Sequence, residues 1–322
     1  MTVRHANRHR LERVARWTRY AGLLSAIVAG TGAAQAPVPS ARSCPPMETS
    51  VEALRTLKAR EWSANVVPHP DSLALALVAC LDNPNPELRD DLAFEALSTL
   101  LRRGALGART LQAIAEELVP RLSAGAPDVD GFRKPFAALA LSEVARADRL
   151  SPSLPPALHR RLIDAAVTYL SGVRDYRGFD EREGWRHGVA HGADFLLQLS
   201  LDRRLERADH QRVVAAVAMQ AGGRDSHFYI YGEGRRLARP VLVVAAAGTL
   251  DAAAWKSWCA AATTAAPAAD WNAAAATQAG LARINNLRAF FLSLYLGVSE
   301  EPESSSVRAL MPCVREALSV LP

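Results

Sequence analysis

The sequence predicts an all-α protein of stacked antiparallel helical hairpins, arranged as a HEAT-like α-solenoid or an α/α-toroid-like array. From Glu48 onward, apolar residues recur every three or four positions, and no convincing alternating run indicates a strand. Capping residues and Pro or Gly breakers stand where these periodic segments end. A weak internal repeat has a leucine in the connection between its helices, at positions 106, 150, 205 and 250. Successive members of this set (Leu106, Leu150, Leu205 and Leu250) are separated by 44, 55 and 45 residues. Such a period is typical of paired-helix repeats.

Two helices open the predicted domain. Asp71 caps the first, which carries Leu77 on its apolar face and ends at the Asn- and Pro-rich run 82–86. The second begins near Glu87 and ends before Gly104. Breakers therefore delimit both helices, as expected of separate elements in an array.

Five helical hairpins account for the repeat. The predicted helix pairs are 94–101 with 110–122, 136–145 with 156–170, 190–199 with 209–219, 239–247 with 251–262, and 287–296 with 306–321. Because each hairpin is amphipathic and cannot bury its own apolar face, the five must pack on one another. An irregular helical bundle is the alternative. We expect a single domain over residues 50–322.

Residues 1–36 have the features of an export signal. Six arginines and one acid, Glu12, accompany an apolar stretch over 21–29, and the run 34–36 (Ala-Gln-Ala) suits signal peptidase. An uncleaved anchor is the alternative, but the apolar stretch is shorter than the ~20 residues that a membrane span requires. We expect a periplasmic or secreted bacterial protein without a stable membrane anchor after cleavage. Residues 37–49 form a Pro-rich leader.

The charge distribution argues against nucleic acid as a partner. The formal net charge is +5, but outside residues 1–36 basic and acidic residues balance at 32 each. A protein that follows phosphates needs its positive charge on the folded body. We therefore expect no nucleic-acid surface.

Four cysteines remain after the predicted cleavage, at positions 44, 80, 259 and 313. None belongs to a C-x-x-C motif, so a zinc site or redox pair has little support. Cys80 and Cys259 lie among apolar helical positions, where a buried thiol is the simpler interpretation. An exported protein can also form disulfides, and a bridge from Cys44 to Cys313 would tie the two ends together.

The longest interval of the repeat contains the candidate site. If a helix begins near Trp185, His187 and His191 lie one turn apart, and Asp194 lies a further turn along the same face. Two imidazoles at i and i+4 can chelate one divalent metal ion, and the carboxylate can be a third ligand or orient a ring. Gly188 interrupts this helix at a cost of roughly 1 kcal/mol relative to Ala.

Other interpretations of this segment stay open. The polar residues can line a metal-free pocket, or they can be the polar face of an amphipathic helix. The H-x-x-x-H spacing is common by chance, and no Glu follows His187 as it does in zinc metalloproteases. Gly188 and Gly192 can admit a ligand beside the histidines or allow two helices to pack closely.

Further polar residues recur near the starts of the inner helices, where a stacked array would bring them to one rim or cavity. The candidate substrate-binding residues are Trp185, Arg177, Asp180, Arg236 and Asn286. Glu233 and His191 are the candidate catalytic residues. Capping and ion pairs between repeats are the alternative roles. Aromatic residues at 176, 179, 228, 229 and 231 would flank a ligand or pin their loops.

Several of these stretches match a known family. The most specific is Gly184-Trp185-x-His187-x-x-Ala190-His191-x-Ala193-Asp194, and others lie at 88–94, 136–148, 174–179, 233–237 and 286–295. Through them the chain resembles, over about residues 70–300, the bacterial family known only as domain of unknown function 2785. The resemblance implies an all-helical fold and no established activity.

Two functions from different classes fit this sequence. The first, which we favour, is a module that binds a peptide, a glycan or a small ligand in a polar pocket. The second is a hydrolase in which His187, His191 and Asp194 hold a divalent metal ion, Glu233 is the general base and Arg236 stabilises anionic charge. His191 could also act as a base without metal. Whether the protein is an enzyme is not decided by the sequence.

Overall fold

The computed structural model describes residues 43–46, 49–63, 65–123, 125 and 128–322. The predicted export signal lies outside these residues, as does most of the leader. Helices dominate the described chain, so the all-α prediction is confirmed. Within the described part, no helix combines the length and the apolar character that crossing a membrane requires.

The described helices are numbered α1–α14 in chain order. They are α1 Val51–Ala59, α2 Pro70–Leu77, α3 Glu95–Arg102, α4 Ala108–Leu118, α5 Arg133–Leu150, α6 Pro156–Gly172, α7 Gly188–Ser200, α8 Arg207–Ala221, α9 Glu233–Ala247, α10 Ala252–Ala262, α11 Trp271–Ala275, α12 Gln278–Ser299, α13 Ser305–Arg308 and α14 Met311–Val320. A π-helical segment, Glu87–Phe94, leads directly into α3, and 3₁₀ turns occupy Val78–Cys80 and Val119–Leu122. Two strands, β1 Phe179–Asp180 and β2 Gly184–Trp185, form a small antiparallel hairpin.

Alternate helices pack against one another. Helix α7 lies between α5 and α9, and α9 in turn packs against α12. A second set of contacts joins α6 to α8, α8 to α10 and α10 to α14. Eleven of the thirteen residues of α7 are buried, against seven of the fifteen in α8. Helix α7, which carries His191 and Asp194, is therefore enclosed on most of its surface.

The disulfides differ from the predicted pairing. Cys44 is bonded to Cys80, and Cys259 of α10 is bonded to Cys313 of α14. The predicted Cys44–Cys313 bridge and the free thiols at Cys80 and Cys259 were therefore wrong. Helices α10 and α14 pack side by side and bring their cysteine Cα atoms to 5.8 Å, a relationship that the order of the residues does not reveal. No free cysteine is found among the described residues.

Candidate functional site

The inserted segment forms the β1–β2 hairpin immediately before α7. Phe179 pairs with Trp185 across the hairpin, and their rings lie 5.0 Å apart. Asp180 closes the turn, because its Oδ1 accepts hydrogen bonds from the backbone N–H groups of Arg182 and Glu183 at 2.8 and 3.0 Å. These bonds lower the pKa of Asp180. Asp180, a candidate substrate-binding residue, thus holds the shape of the hairpin.

The helix that we predicted from Trp185 begins three residues later, at Gly188. Trp185 lies in β2, and His187 adopts a left-handed backbone conformation with φ 55° just before α7. The two histidines nevertheless meet, with ring centroids 5.8 Å apart. The indole of Trp185 stacks on His187 at 4.5 Å. The structure therefore brings together three of the predicted site residues.

Three of the four ring nitrogens of His187 and His191 lack hydrogen-bond partners, whereas the His187 ring also has a hydrogen bond with the backbone of Tyr231. Nε2 of His187 and both ring nitrogens of His191 are buried without one. Burial, with a further contribution from Arg236, lowers the pKa of His187 to about 4. Burial, together with the neighbouring His187, holds the pKa of His191 well below its ordinary value. Both rings are therefore neutral at neutral pH.

Asp194 faces two arginines of α9. Its Oδ2 accepts a hydrogen bond from Arg236, and its Oδ1 accepts one from Arg239 at 3.3 Å. The guanidinium of Arg236, a candidate substrate-binding group, is thus held by an ion pair between α7 and α9. To act as a third metal ligand, Asp194 would have to break its hydrogen bonds with both arginines.

The glycines on either side of His191 allow close packing of α7 against α6. A Cβ atom on Gly192 would lie 3.1 Å from side-chain atoms of both Tyr169 and Leu170. One on Gly188 would lie 3.2 Å from the hydroxyl of Tyr169. Of the two roles considered for these glycines, the structure supports helix packing.

Glu233, the candidate general base, is the first residue of α9 and is buried. Its Oε2 accepts a hydrogen bond from the backbone N–H of Tyr231 at 2.9 Å. Burial raises the pKa of Glu233. The Tyr231 ring contacts Trp185 and His187 edge-on, with centroid distances of 5.3 and 6.1 Å. Tyr231 thus connects the hairpin aromatics to the start of α9.

Asn286 on α12 is fully buried and fixes the loop before α9. Its Oδ1 accepts a hydrogen bond from the N–H of Tyr229 at 2.8 Å, and its Nδ2 donates to the carbonyls of Gly222 and His227 at 3.1 and 2.9 Å. These backbone contacts occupy both ends of the amide. The amide therefore has little hydrogen-bonding capacity left for the predicted substrate-binding role. Asn286 acts on the site by positioning the loop.

A cleft of about 610 Å³ opens between the 174–186 segment and the 227–231 loop. We call it the hairpin cleft. Rings of Tyr176, Phe179 and Tyr231 line it, and Phe179 and Ile230 are exposed at its surface. Among the aromatic residues considered from the sequence, Tyr229 is instead buried and donates its hydroxyl hydrogen bond to the carbonyl of Gln220.

Three arginines and three acidic residues line the hairpin cleft. Arg177 pairs with Asp175 and Arg186 pairs with Glu183, each at 2.5 Å. Arg174 donates to backbone carbonyls and forms no ion pair with any described residue. The cleft therefore offers donors and acceptors in similar numbers, and the guanidinium of Arg174 has no carboxylate partner there.

A buried arginine anchors the hairpin, and it belongs to the Arg89-Asp90 pair at the start of a predicted inner helix, for which capping or an ion pair between repeats was the expected role. Arg89 donates to the carbonyl of Glu183 and to the carboxylate of Asp90, both at 2.6 Å. Its guanidinium lies 3.7 Å from the ring centroid of Phe132, and that of Arg186 lies 4.3 Å from the same centroid. The π-helical segment and the hairpin are thereby joined. The sequence signals for this contact were the polar pair at the start of an inner helix and the matching stretch 88–94.

A second polar cluster, absent from our site prediction, lies at Asp148, His159 and Asp202. Among the described residues, it is the one group of three such side chains whose potential ligand atoms all fall within 4.8 Å of one another. However, Arg204 donates to both carboxylates, at 2.6 and 2.5 Å, and His159 lies 3.1 Å from Asp202. Although burial opposes it, hydrogen bonds from His159 and Arg204 lower the pKa of Asp202. Both carboxylates already have Arg204 as a partner, and the cluster links α5 and α6 to the connection after α7.

The recurrence of an Ala-Asp-Arg-Leu-like connection at 147–150 and 201–205 was the sequence signal that could have identified this cluster.

Comparison with known proteins gives one match. A family model described as "Protein of unknown function (DUF2785)" matches residues 124–296, which is more than half of the chain. The match includes the hairpin, both histidines, the loop before α9 and most of α12. Neither the curated proteins nor the solved structures contain a match.

Proposed function

Since the chain belongs to the family described as Protein of unknown function (DUF2785), whose description names no activity, we propose a function from the hairpin cleft itself. The protein is an exported binding module, and its ligand is an oligosaccharide. The single observation that carries this proposal is the composition of the cleft, in which aromatic rings and balanced charges surround an open volume.

The composition of the cleft suits sugar rings. Hydroxyl groups both donate and accept hydrogen bonds, so they can use the arginines and the carboxylates together. The rings of Tyr176, Phe179 and Tyr231 line the cleft and offer apolar surface for the C–H faces of a sugar, and one face of Tyr176 is already stacked on His227 at 5.0 Å. A simple anion would be repelled by Asp175 and Glu183, and a simple cation would be repelled by the arginines. The volume of about 610 Å³ lies within the range of roughly 300–1,000 Å³ that is usual for small-molecule sites.

Export is supported by the two disulfides. The pairs Cys44–Cys80 and Cys259–Cys313 account for every cysteine of the described chain. Disulfides persist in oxidising compartments such as the periplasm and the cell exterior. Together with the signal-like residues 1–36, they favour a periplasmic or secreted protein that encounters extracellular glycans.

We include a stacked arrangement of hairpins in the proposal. Each helix of the α5, α7, α9 series contacts the next member of the series, as does each helix of the α6, α8, α10 series. His159 and His210 are the fourth residues of α6 and α8. Each contacts the connection within the next hairpin, at Asp202 between α7 and α8 and at Thr249 between α9 and α10 respectively. This recurrence supports a solenoid or toroid-like array. Proteins with such an array commonly bind ligands along one of its surfaces.

A metal-dependent hydrolase has less support. Asp194 is engaged by Arg236 and Arg239, and the carboxylate of Glu233 accepts the N–H of Tyr231. The acidic metal ligand and the general base of that hydrolase thus both have internal partners. The proposed module therefore includes no catalytic step.

A glycan microarray followed by calorimetry tests the proposal. Phe179 is 48% exposed, so Phe179→Ala should fold normally while removing one ring from the cleft. Tyr295 on α12 is 38% exposed and does not line the cleft, which makes Tyr295→Ala a matched control. We expect wild type and Tyr295→Ala to bind the same oligosaccharide, and Phe179→Ala to bind it about 10-fold more weakly, a loss of about 1.4 kcal/mol. Absence of any glycan ligand, or equal binding by both variants, would contradict the proposal.

A further inference from the structure

Beneath the hairpin, His187 and His191 form a buried site that the proposed sugar-binding function does not use. Nearly all buried polar atoms in folded proteins have a hydrogen-bond partner, and those without one call for an explanation such as an ion. His191 is only 8% exposed, yet both of its ring nitrogens lack a partner, and so does Nε2 of His187. Three unpartnered imidazole nitrogens therefore lie within two adjacent rings.

The surroundings of the two rings are aromatic. Phe136 contacts His191 edge-on at 5.7 Å, and Trp185 stacks on His187 at 4.5 Å. The one carboxylate on the same helix, Asp194, pairs with Arg236 and Arg239. The site thus offers two neutral nitrogen ligands and no free carboxylate from α7.

We propose that His187 and His191 bind one copper(I) ion between their imidazoles. Magnesium, calcium and manganese prefer oxygen ligands. Zinc normally takes at least three protein ligands in a tetrahedral site, and no group of three that includes these histidines is found in the described chain. Imidazole binds copper well, and the closed-shell copper(I) ion accepts two-coordinate geometry. This ligand set therefore favours copper(I).

The local charge also favours a monovalent ion. The guanidinium groups of Arg236 and Arg89 act electrostatically on His191. Their positive charge is offset by Asp194 and Asp90 respectively. A singly charged ion meets half the residual repulsion that a divalent ion would meet at the same position. His187 is only partly buried, whereas His191 is buried, so His187 is the outer of the two ligands.

Competition for copper(I) under anaerobic conditions tests this site. The full chain, purified without a histidine tag, is titrated against bicinchoninate, a coloured copper(I) chelator. We expect one copper(I) ion per chain, and at least 100-fold weaker binding by His187→Gln and by His191→Gln. His69 is exposed and forms no side-chain capping bond, so His69→Ala is the control and should match wild type. A parallel titration with zinc should give an affinity at least 100-fold weaker than that for copper(I).

A stability measurement separates loss of a ligand from loss of the fold. We expect metal-free His191→Leu to melt at or above the temperature of metal-free wild type, because leucine removes buried nitrogens that have no partner. Copper(I) should raise the melting temperature of wild type and leave that of His191→Leu unchanged. Copper affinity equal in wild type and His191→Gln, tighter binding of zinc, or equal stabilisation of His191→Leu by copper would each overturn the proposal. None of these readouts depends on sugar binding.

Discussion

Asp194 of α7 and Arg236 of α9 form an ion pair, to which Arg239 adds a second contact at 3.3 Å. Residue spacing aligns Asp194 with His187 and His191, but its charge is used to hold two helices together. The side chains of Asp194 and Arg236 are 16% and 24% exposed, so the pair is largely shielded from water. Removal of the carboxylate would leave two arginines partly buried without their counter-charge.

We therefore expect Asp194→Asn to lower the free energy of unfolding by about 2–4 kcal/mol, because removing one partner of a shielded pair leaves uncompensated charge. Asp164→Asn is the control, since Asp164 and Arg212 form an exposed pair whose loss should cost less than about 1 kcal/mol. Urea unfolding followed by circular dichroism measures both. Equal losses in the two variants would show that the Asp194 pair does not stabilise the fold as described.

Asn286→Ala should free the loop that borders the hairpin cleft. The change removes the partners of the Tyr229 N–H and of the Gly222 and His227 carbonyls, each of them a backbone group. We expect a loss of about 2–4 kcal/mol of stability, since buried groups left unsatisfied cost about 1–3 kcal/mol each and partly relax. Hydrogen exchange should accelerate at 222–231. The exposed neighbour Asn285 provides the control, since its Nδ2 donates a 3.3 Å hydrogen bond to Asn286 Oδ1 but no hydrogen bond to the loop is found for its side chain among the described residues. The exchange pattern of Asn285→Ala should remain that of wild type, and faster exchange there as well would contradict the assignment to Asn286.

The contribution of His187 to the stability of the protein should fall as the pH drops from about 6.5 to 4. Burial lowers the pKa of His187 to about 4, whereas in the unfolded chain it titrates near 6.5. Between these values the unfolded chain binds a proton that the folded protein excludes, so acid favours unfolding, by up to about 3 kcal/mol for this group. His187→Phe removes the effect of this group while leaving His191 in place.

The difference in unfolding free energy between wild type and His187→Phe, measured from pH 7 to 4, isolates His187. Asp90 acts in the opposite direction, because burial raises its pKa to about 6 and its protonation on acidification therefore stabilises the folded protein. Because Asp90 is present in both proteins, subtraction removes its contribution. A difference that stays constant across this pH range would contradict the lowered pKa of His187.

Replacement of the Cys259–Cys313 disulfide by serines should destabilise the protein. The two cysteines are separated by 54 residues, and a crosslink closing such a loop contributes about 4 kcal/mol in the chain-entropy description. We expect Cys259→Ser/Cys313→Ser to melt at a lower temperature than wild type, by an amount similar to that caused by reductant acting on this bond. Mass spectrometry after alkylation without reduction checks the pairing, and free thiols in the wild-type protein would refute it.

The helices could be predicted because apolar periodicity is a local property. The start of α7 was misplaced because β1 and β2 have two residues each, too few for alternation to be seen, and because His187 adopts a left-handed conformation. The contact between His187 and His191 followed from their spacing. The partners of Asp194 could not be predicted from spacing, because Arg236 and Arg239 are 42 and 45 residues away and contact it only through helix packing.

The central claim is that the hairpin cleft is the ligand site, and hydrogen–deuterium exchange tests it most directly. Exchange is measured with and without a saturating amount of the oligosaccharide that binds most tightly on the glycan microarray. We predict that protection increases within 174–186 and 227–231 and remains unchanged on the exposed face of α12, which includes Leu292 and Tyr295. Protection confined to other elements, with both cleft segments unchanged, would contradict the claim.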